Sequence, residues 1–228
     1  MQSQARCLAF LIHGAIPARH HKVNRLICYA FQAVLLGPET HMKPDIIQPP
    51  QVDWLTGAFA QGHILRKTTR IADLAGVFAC TDAWQNGDPQ RPVYDVEILD
   101  GKTVEGSLFT GVTHLQPGKV GNEFFMTRGH FHARREQGEV YLGLRGTGLL
   151  LLQSESGKAW LEPVNAGSVH VIPGFTAHRL INTGTEVLSA LAVWPTVAGH
   201  DYAALQQGFA LRVTEVDGDI LVREVQHG

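Results

Sequence analysis

Cysteine is scarce in this chain and unpaired in pattern. Cys7, Cys28 and Cys80 share no CxxC or other paired spacing, which argues against a disulfide framework and a thiolate metal cluster and fits a reducing cytoplasm. Charge is scarce as well. Acidic and basic residues make up only 18% of the chain and leave a formal net charge of −2, so no basic face invites nucleic acid and no polybasic run invites an anionic membrane. An anionic ligand would have to be gripped locally, and there is no P-loop to do it. Long apolar runs are missing too. The stretches 9–12 and 30–36 fall well short of the roughly 20 residues that span a bilayer.

The 228 residues, 44% of them hydrophobic, suffice for one substantial core, so a single domain is expected over 42–228. Residues 1–41 differ in composition, with Arg6, Arg19, Lys22 and Arg25 set against the lone acid Glu39. Two readings stand for them: a targeting peptide, or an over-long start with translation beginning at Met42. The second is preferred on the composition break, with loose or disordered packing expected if the segment is made.

From Met42 the proline-punctuated KPDIIQPPQVDW reads as an extended arm. RKTTRIADLAGVFA places apolar residues at 71, 74, 75 and 78, a 3.6-residue stripe that predicts one short helix in 66–79. The segment 82–92 is rich in turn formers, and 94–99 alternates as a strand. Beyond it, short strand-like runs at 107–114, 122–127, 139–145, 148–153, 158–161, 168–172, 178–182 and 186–194 are separated by Gly, Pro, Asn or Ser. A short helix at 203–207 and a hairpin turning at Asp217-Gly218 close the chain. Many short, evenly spaced strands predict an all-β sandwich or barrel, of which the jelly roll encloses a cavity able to hold a ligand at its mouth.

The chemistry concentrates in GNEFFMTRGHFHARREQGE, residues 121–139. His130 and His132 alternate onto one face of an extended strand, and Glu139 follows across a turn. Two imidazoles and a carboxylate can hold a divalent transition ion and leave positions open for water or substrate oxygens. An H-x-H pair is weak on its own among twelve histidines. It gains weight from Gly146, Gly167, Pro173, His178 and Asn182, which recur downstream at fixed intervals.

That series, H-x-H, Glu, Gly, then G-x5-P, His and Asn, resembles the paired signature of the cupin superfamily. Glu139 lies farther from His132 than in the commonest cupins, and the glycine after Pro173 is immediate. The longer string VGNEFFMTRGHFHARREQGEVYLGLRG, with AHR at 177–179 and AGHDYAAL at 198–205, resembles the cupin-type glucose-6-phosphate isomerases of archaea and some bacteria, over about residues 50–208.

The resemblance implies a cupin jelly roll (a double-stranded β-helix barrel), a homodimer, and one divalent metal ion per subunit on His130, His132, Glu139 and His178. Iron leads the candidates, with nickel, zinc and manganese behind it. It also implies a sugar-phosphate substrate that interconverts between glucose 6-phosphate and fructose 6-phosphate in glycolysis or gluconeogenesis. Thr127 and Gly129 match phosphate-site positions, with Thr113 and Tyr94 beside them, although Thr127 reads equally as an ordinary strand threonine. Tyr141 falls on the same strand face as Glu139 and is either a substrate partner or a core residue. His200 and Tyr202 match positions at the cavity mouth, where they would serve catalysis together with Glu139. Trp194 stands where the family often has tyrosine; an indole N–H donates and cannot accept. His63, His114 and His170 have no partner at ligand spacing and read as structural or surface residues, and Arg134 and Arg135 as a solvated turn. Another cupin enzyme, a dioxygenase or a different phosphosugar isomerase or epimerase, and a non-catalytic sugar-binding cupin stay open as alternatives.

Overall fold

The structure, a computed structural model, describes residues 46–225. The expectation for residues 1–41 therefore falls outside the described residues. One compact unit begins at Gln48.

Three antiparallel sheets build it. The largest runs, edge to edge, β1 (Ile64–Arg70), β2 (Pro92–Leu99), β3 (Leu108–Leu115), β11 (Leu188–Pro195), β6 (Glu139–Arg145) and β9 (Val169–Ile172). A second orders β10 (Thr176–Ile181), β7 (Thr147–Ser154) and β8 (Ala159–Asn165), and a third orders β13 (Asp219–Glu224), β12 (Leu211–Val216), β5 (Glu123–Phe124) and β4 (Lys119–Val120). The crossovers that place β11 between β3 and β6 are those of the cupin jelly roll. The predicted strands sit within a few residues of these. Among the described residues, no helix is long and apolar enough to cross a membrane.

The main core joins Leu115, Leu188 and Ala190 of the six-stranded sheet to Leu150, Leu152 and Leu180 of the three-stranded one. Strand β7 is an unbroken leucine run rather than an alternating one, and Leu150, Leu151 and Leu152 are each at most 1% exposed. Both its faces are covered, so each leucine contributes about 1.5–3 kcal/mol of burial. Strand β10 is likewise buried at all six positions. Two of the residues in the downstream series serve this frame. Gly146 turns β6 into β7 with φ +73° where a side chain would strike the Val187 carbonyl. Asn182 is fully buried, and its Nδ2 donates to the carbonyls of Leu115 and Glu186, each at 2.8 Å.

Three local expectations are corrected. Residues 66–70, predicted as the start of a helix, are the last five residues of β1, since Thr68 and Thr69 favour the pleated state and the strand finds a partner in β2. The apolar stripe survives in a single 3-10 turn, Ile71–Leu74, which buries Ile71 and Leu74. Within the expected turn region lies a short α-helix, Thr81–Gln85, whose N-terminal cap is the Cys80 sulfur accepting from the Ala83 N–H at 3.4 Å. At 203–207 the helix is a 3-10 turn, Ala203–Leu205, while the hairpin forms as expected on Asp217 and Gly218, both at positive φ.

Candidate metal centre and cavity

The barrel brings the four proposed ligands together from three segments. A two-residue antiparallel bridge pairs His130 with His178 of β10, through His178 N–H to His130 O at 3.1 Å and the reciprocal bond at 3.3 Å. Glu139 opens β6, and His132 lies in the segment that leads to it. One ligand atom from each of His130, His132, Glu139 and His178 lies within 4.8 Å of the other three.

Hydrogen bonding aims them. The Gln137 carbonyl lies 2.9 Å from His132 Nδ1; with the proton on that nitrogen, Nε2 is turned toward Glu139 Oε2, 3.1 Å away. His178 Nε2 is 2.9 Å from the same oxygen but is not aligned to bond it, and His130 Nε2 is buried with no partner at all. Buried nitrogens left in this state cost free energy unless something answers them. Burial, then the imidazoles of His178, His200 and His132, hold His130 well below the usual histidine pKa, so it is neutral. At His132 burial opposes the charge, but the Glu139 carboxylate and the Gln137 carbonyl outweigh it and raise the pKa. At Glu139 burial is again outweighed, chiefly by His178 and His132, and the carboxylate stays ionised. Imidazole nitrogens converging with a carboxylate are the donor set a divalent transition ion requires. The residues present fit such a group, and the cluster supports a bound metal ion.

The cluster forms the floor of a cavity of about 300 Å³. Its walls include Tyr94, Thr113, Thr127, Gly129 and Tyr141, with His200 and Tyr202 toward the rim. Every residue expected at the site therefore lines one cavity, except His132, which is 4% exposed and reaches it only through the ligand cluster. Thr127 and Gly129 are presented by backbone pairing: Thr127 N–H donates to Leu180 O at 2.9 Å and its Oγ1 accepts from Leu180 N–H at 3.0 Å. Gly129, at φ +73°, has room for no side chain, because a Cβ would lie 2.7 Å from Phe209 and 2.9 Å from Arg179 Nε. Burial, aided by Glu139 and Tyr94, pushes the Tyr141 phenol well above its usual pKa, leaving it a donor. His200 is held below the usual histidine value, burial being the largest cause, and its ring centroid lies 4.3 Å from that of His130.

Sequence pattern misses three polar lining residues. Lys67 and Thr69 reach the cavity from β1, where the apolar stripe predicts helix. Their alternation is the signal that a strand reading would catch. Arg128 lies between Thr127 and Gly129, and no run of basic residues marks it. Trp194 fills the place of the expected tyrosine, is 8% exposed and packs at 5.7 Å against Phe109. Gly111 leaves it room, since a Cβ there would be 3.0 Å from the indole.

Three described histidines outside the ligand set have partners of their own. His63 meets Asp100 at 3.0 Å, His114 meets Ser189 Oγ at 2.8 Å, and His170 meets Glu162 at 2.6 Å. Arg134 and Arg135 are more than a solvated turn. Arg134 pairs with Glu105 and Glu136, and Arg135 ties Asp201 at 2.5 Å and the His132 carbonyl. Asp201 also caps the following turn, accepting from Ala204 N–H at 3.1 Å.

Residues 68–227 match the model of the glucose-6-phosphate isomerase family. The Thermococcus litoralis glucose-6-phosphate isomerase is 38% identical over 179 residues, which cover 76% of this chain and 92% of that one. The Pyrococcus horikoshii protein of the same name is 42% identical over 158 residues, covering 67% and 82%. A bacterial one, from Sinorhizobium medicae, is 35% identical over 170 residues, covering 73% and 79%. Among solved structures, the Lactobacillus farciminis oxalate decarboxylase formate complex superposes with a TM-score of 0.40 at 24% identity, over 47% of this chain and 30% of that one, a likeness too slight to bear on function. The matched region takes in the four converging ligands and all of the cavity lining except Lys67, and the chain belongs to the cupin-type glucose-6-phosphate isomerase family.

Proposed function

We propose that the chain interconverts glucose 6-phosphate and fructose 6-phosphate, using one divalent metal ion held by His130, His132, Glu139 and His178. The convergence of three imidazoles and a carboxylate at the floor of a cavity sized for a small metabolite carries this reading, together with relatives that bear this enzyme's name over most of their length. When bound, the ion supplies Lewis-acid polarisation of the sugar's C1 and C2 oxygens. Iron is the first candidate, as the family resemblance implies; imidazole and carboxylate together also suit nickel, zinc and manganese.

The chain's own residues divide the remaining tasks. Thr127 Oγ1 and the Gly129 backbone, at one side of the cavity, grip the phosphate, with Thr113 and Tyr94 beside them and Lys67 and Arg128 supplying positive charge. His200, neutral near pH 7, accepts or returns the hydroxyl proton as the sugar ring opens, and Tyr202, stacked on it at 5.8 Å, holds the ring. Tyr141 donates to a sugar oxygen near Glu139. Glu139 Oε2 lies near both His132 and His178, so its other oxygen is the one available to the substrate. The carbon-bound hydrogen passes either through that carboxylate by way of an enediol or directly between C2 and C1. Deuterium wash-in from solvent assigns the first route, and retention of the label assigns the second.

A homodimer is the proposed assembly and the cytoplasm the proposed compartment. The test is a coupled assay of fructose 6-phosphate conversion before chelation, after it and after metal return. Activity that survives complete metal removal, or that is unchanged in His132→Ala, would overturn the reading. Oxygen consumption, with a strict need for ferrous iron, would move the assignment to a dioxygenase.

A further inference from the structure

A second cavity, of about 330 Å³, lies behind the wall that carries Thr127 and Gly129. Alternation along β10 sends His178 into the barrel and Arg179 out of it, and Arg179 lines this outer cavity with Arg128. The turn at Ala75–Val77 and the segment from Leu205 to Gly208 form much of the remainder. No carboxylate is among the lining residues.

Arg179 is an unusual tenant. It is 7% exposed, with its guanidinium 4.3 Å from the Phe209 ring centre. Nη2 donates to the Arg128 carbonyl at 2.5 Å and Nη1 to Met126 Sδ at 2.9 Å, while Nε has no partner. Among the described residues no carboxylate lies within ion-pair reach of it, and neighbouring Glu123 is already committed to Arg212 at 2.7 Å. Arg128 likewise has no ion pair among the described residues; its guanidinium stands 5.0 Å over the Tyr202 ring. A buried cation without a counter-charge is expensive, and a carboxylate in the wall would have been the ordinary remedy. The wall instead offers neutral donors, the Gln206 amide and the Tyr202 hydroxyl.

We propose that this outer cavity is a second anion site, which takes inorganic phosphate or the phosphate group of a small phosphomonoester and is separate from the sugar-phosphate cavity. Arg128, Gly129 and Tyr202 line both cavities. An anion that draws Arg128 from the Tyr202 ring therefore changes the wall against which the substrate's phosphate rests, and linkage requires each ligand to alter the affinity of the other. The site stands on its own geometry; only the coupling rests on the isomerase reading.

Equilibrium dialysis of the metal-loaded enzyme against labelled inorganic phosphate tests it. Two phosphates per chain are expected in the wild type. In Gln206→Glu, which sets a carboxylate in the outer cavity at an exposed position that does not line the sugar-phosphate cavity, one is expected, with the second weakened at least tenfold. Gln206→Lys should tighten the second. In kinetics, phosphate should alter kcat at saturating fructose 6-phosphate in the wild type and act as a purely competitive inhibitor in Gln206→Glu. A single phosphate per chain, or a second one indifferent to both substitutions, overturns the proposal. Two phosphates in a chain without isomerase activity would instead overturn the functional reading and leave the site standing. Repeating the dialysis with glycerol 3-phosphate separates the sources: binding of phosphate alone assigns the free ion, and binding of both assigns a phosphomonoester pocket.

Discussion

Replacing Gly129 with alanine probes the phosphate grip at its narrowest point. At φ +73° an alanine in the left-handed region costs about 1–2 kcal/mol. Its Cβ would also lie 2.7 Å from Phe209 Cε2 and 2.9 Å from Arg179 Nε. Neither neighbour can yield easily, since Phe209 is 2% exposed and Arg179 is pinned by the Arg128 carbonyl and Met126. Overpacking of this kind costs about 1–3 kcal/mol, and the cheapest relief is for residues 127–130 to move away from Arg179, toward the cavity. That displacement would spoil a backbone hydrogen bond to a charged phosphate, which contributes about 1.5–3 kcal/mol, equivalent to roughly a 10- to 100-fold rise in KM for fructose 6-phosphate. Because His130 follows directly, bound metal must be measured alongside. Steady-state kinetics on Gly129→Ala, with metal content by elemental analysis, should show the KM rise with metal retained. A KM within twofold of wild type in a protein of unchanged Tm would refute the role given to Gly129.

His132→Ala should lower bound metal below the wild-type stoichiometry after dialysis and reduce kcat/KM at least a hundredfold, because it removes a ligand and leaves Glu139 with one imidazole fewer against its buried charge. Leu150→Ala, in the fully buried run of β7, should cost about 2–5 kcal/mol in chemical unfolding without changing KM in the surviving folded enzyme. Acid should loosen the arm before the barrel. Buried Glu97 accepts from Phe59 N–H at 2.9 Å and from Arg66 Nε at 2.8 Å; burial opposes its charge, but these bonds outweigh it and hold its pKa below 4.5. The unfolded state then binds more protons between the two values, so the stabilisation is present in full above about pH 4.5 and is lost as pH falls through the folded value. Limited proteolysis with an acid-active protease should cut near residues 51–60 as pH drops below 4.5, and Glu97→Gln should expose the same segment at pH 7. Equal resistance of the variant at neutral pH would refute this account.

Much of the molecule can be read from local pattern. Strand alternation with turn residues at regular intervals yields the all-β class, because a period of two and a tight turn are local properties of the backbone. The metal ligands are legible because three of the four sit within one short stretch, and because Gly146, Pro173 and Asn182 mark the return that brings His178 back to His130. Phosphate-side residues are legible only by resemblance.

Tertiary structure alone decided the rest. Residues 66–70 became strand because β2 offered a hydrogen-bonding edge, and that pairing is what carries Lys67 and Thr69 to the cavity. The charge environment also emerged only on folding. Among the described residues neither Arg128 nor Arg179 forms an ion pair, Glu123 being held by Arg212, and the low net charge of the sequence gives no hint of it. A sequence records which charges exist; which of them lose water, and which find a partner, depends on long-range packing.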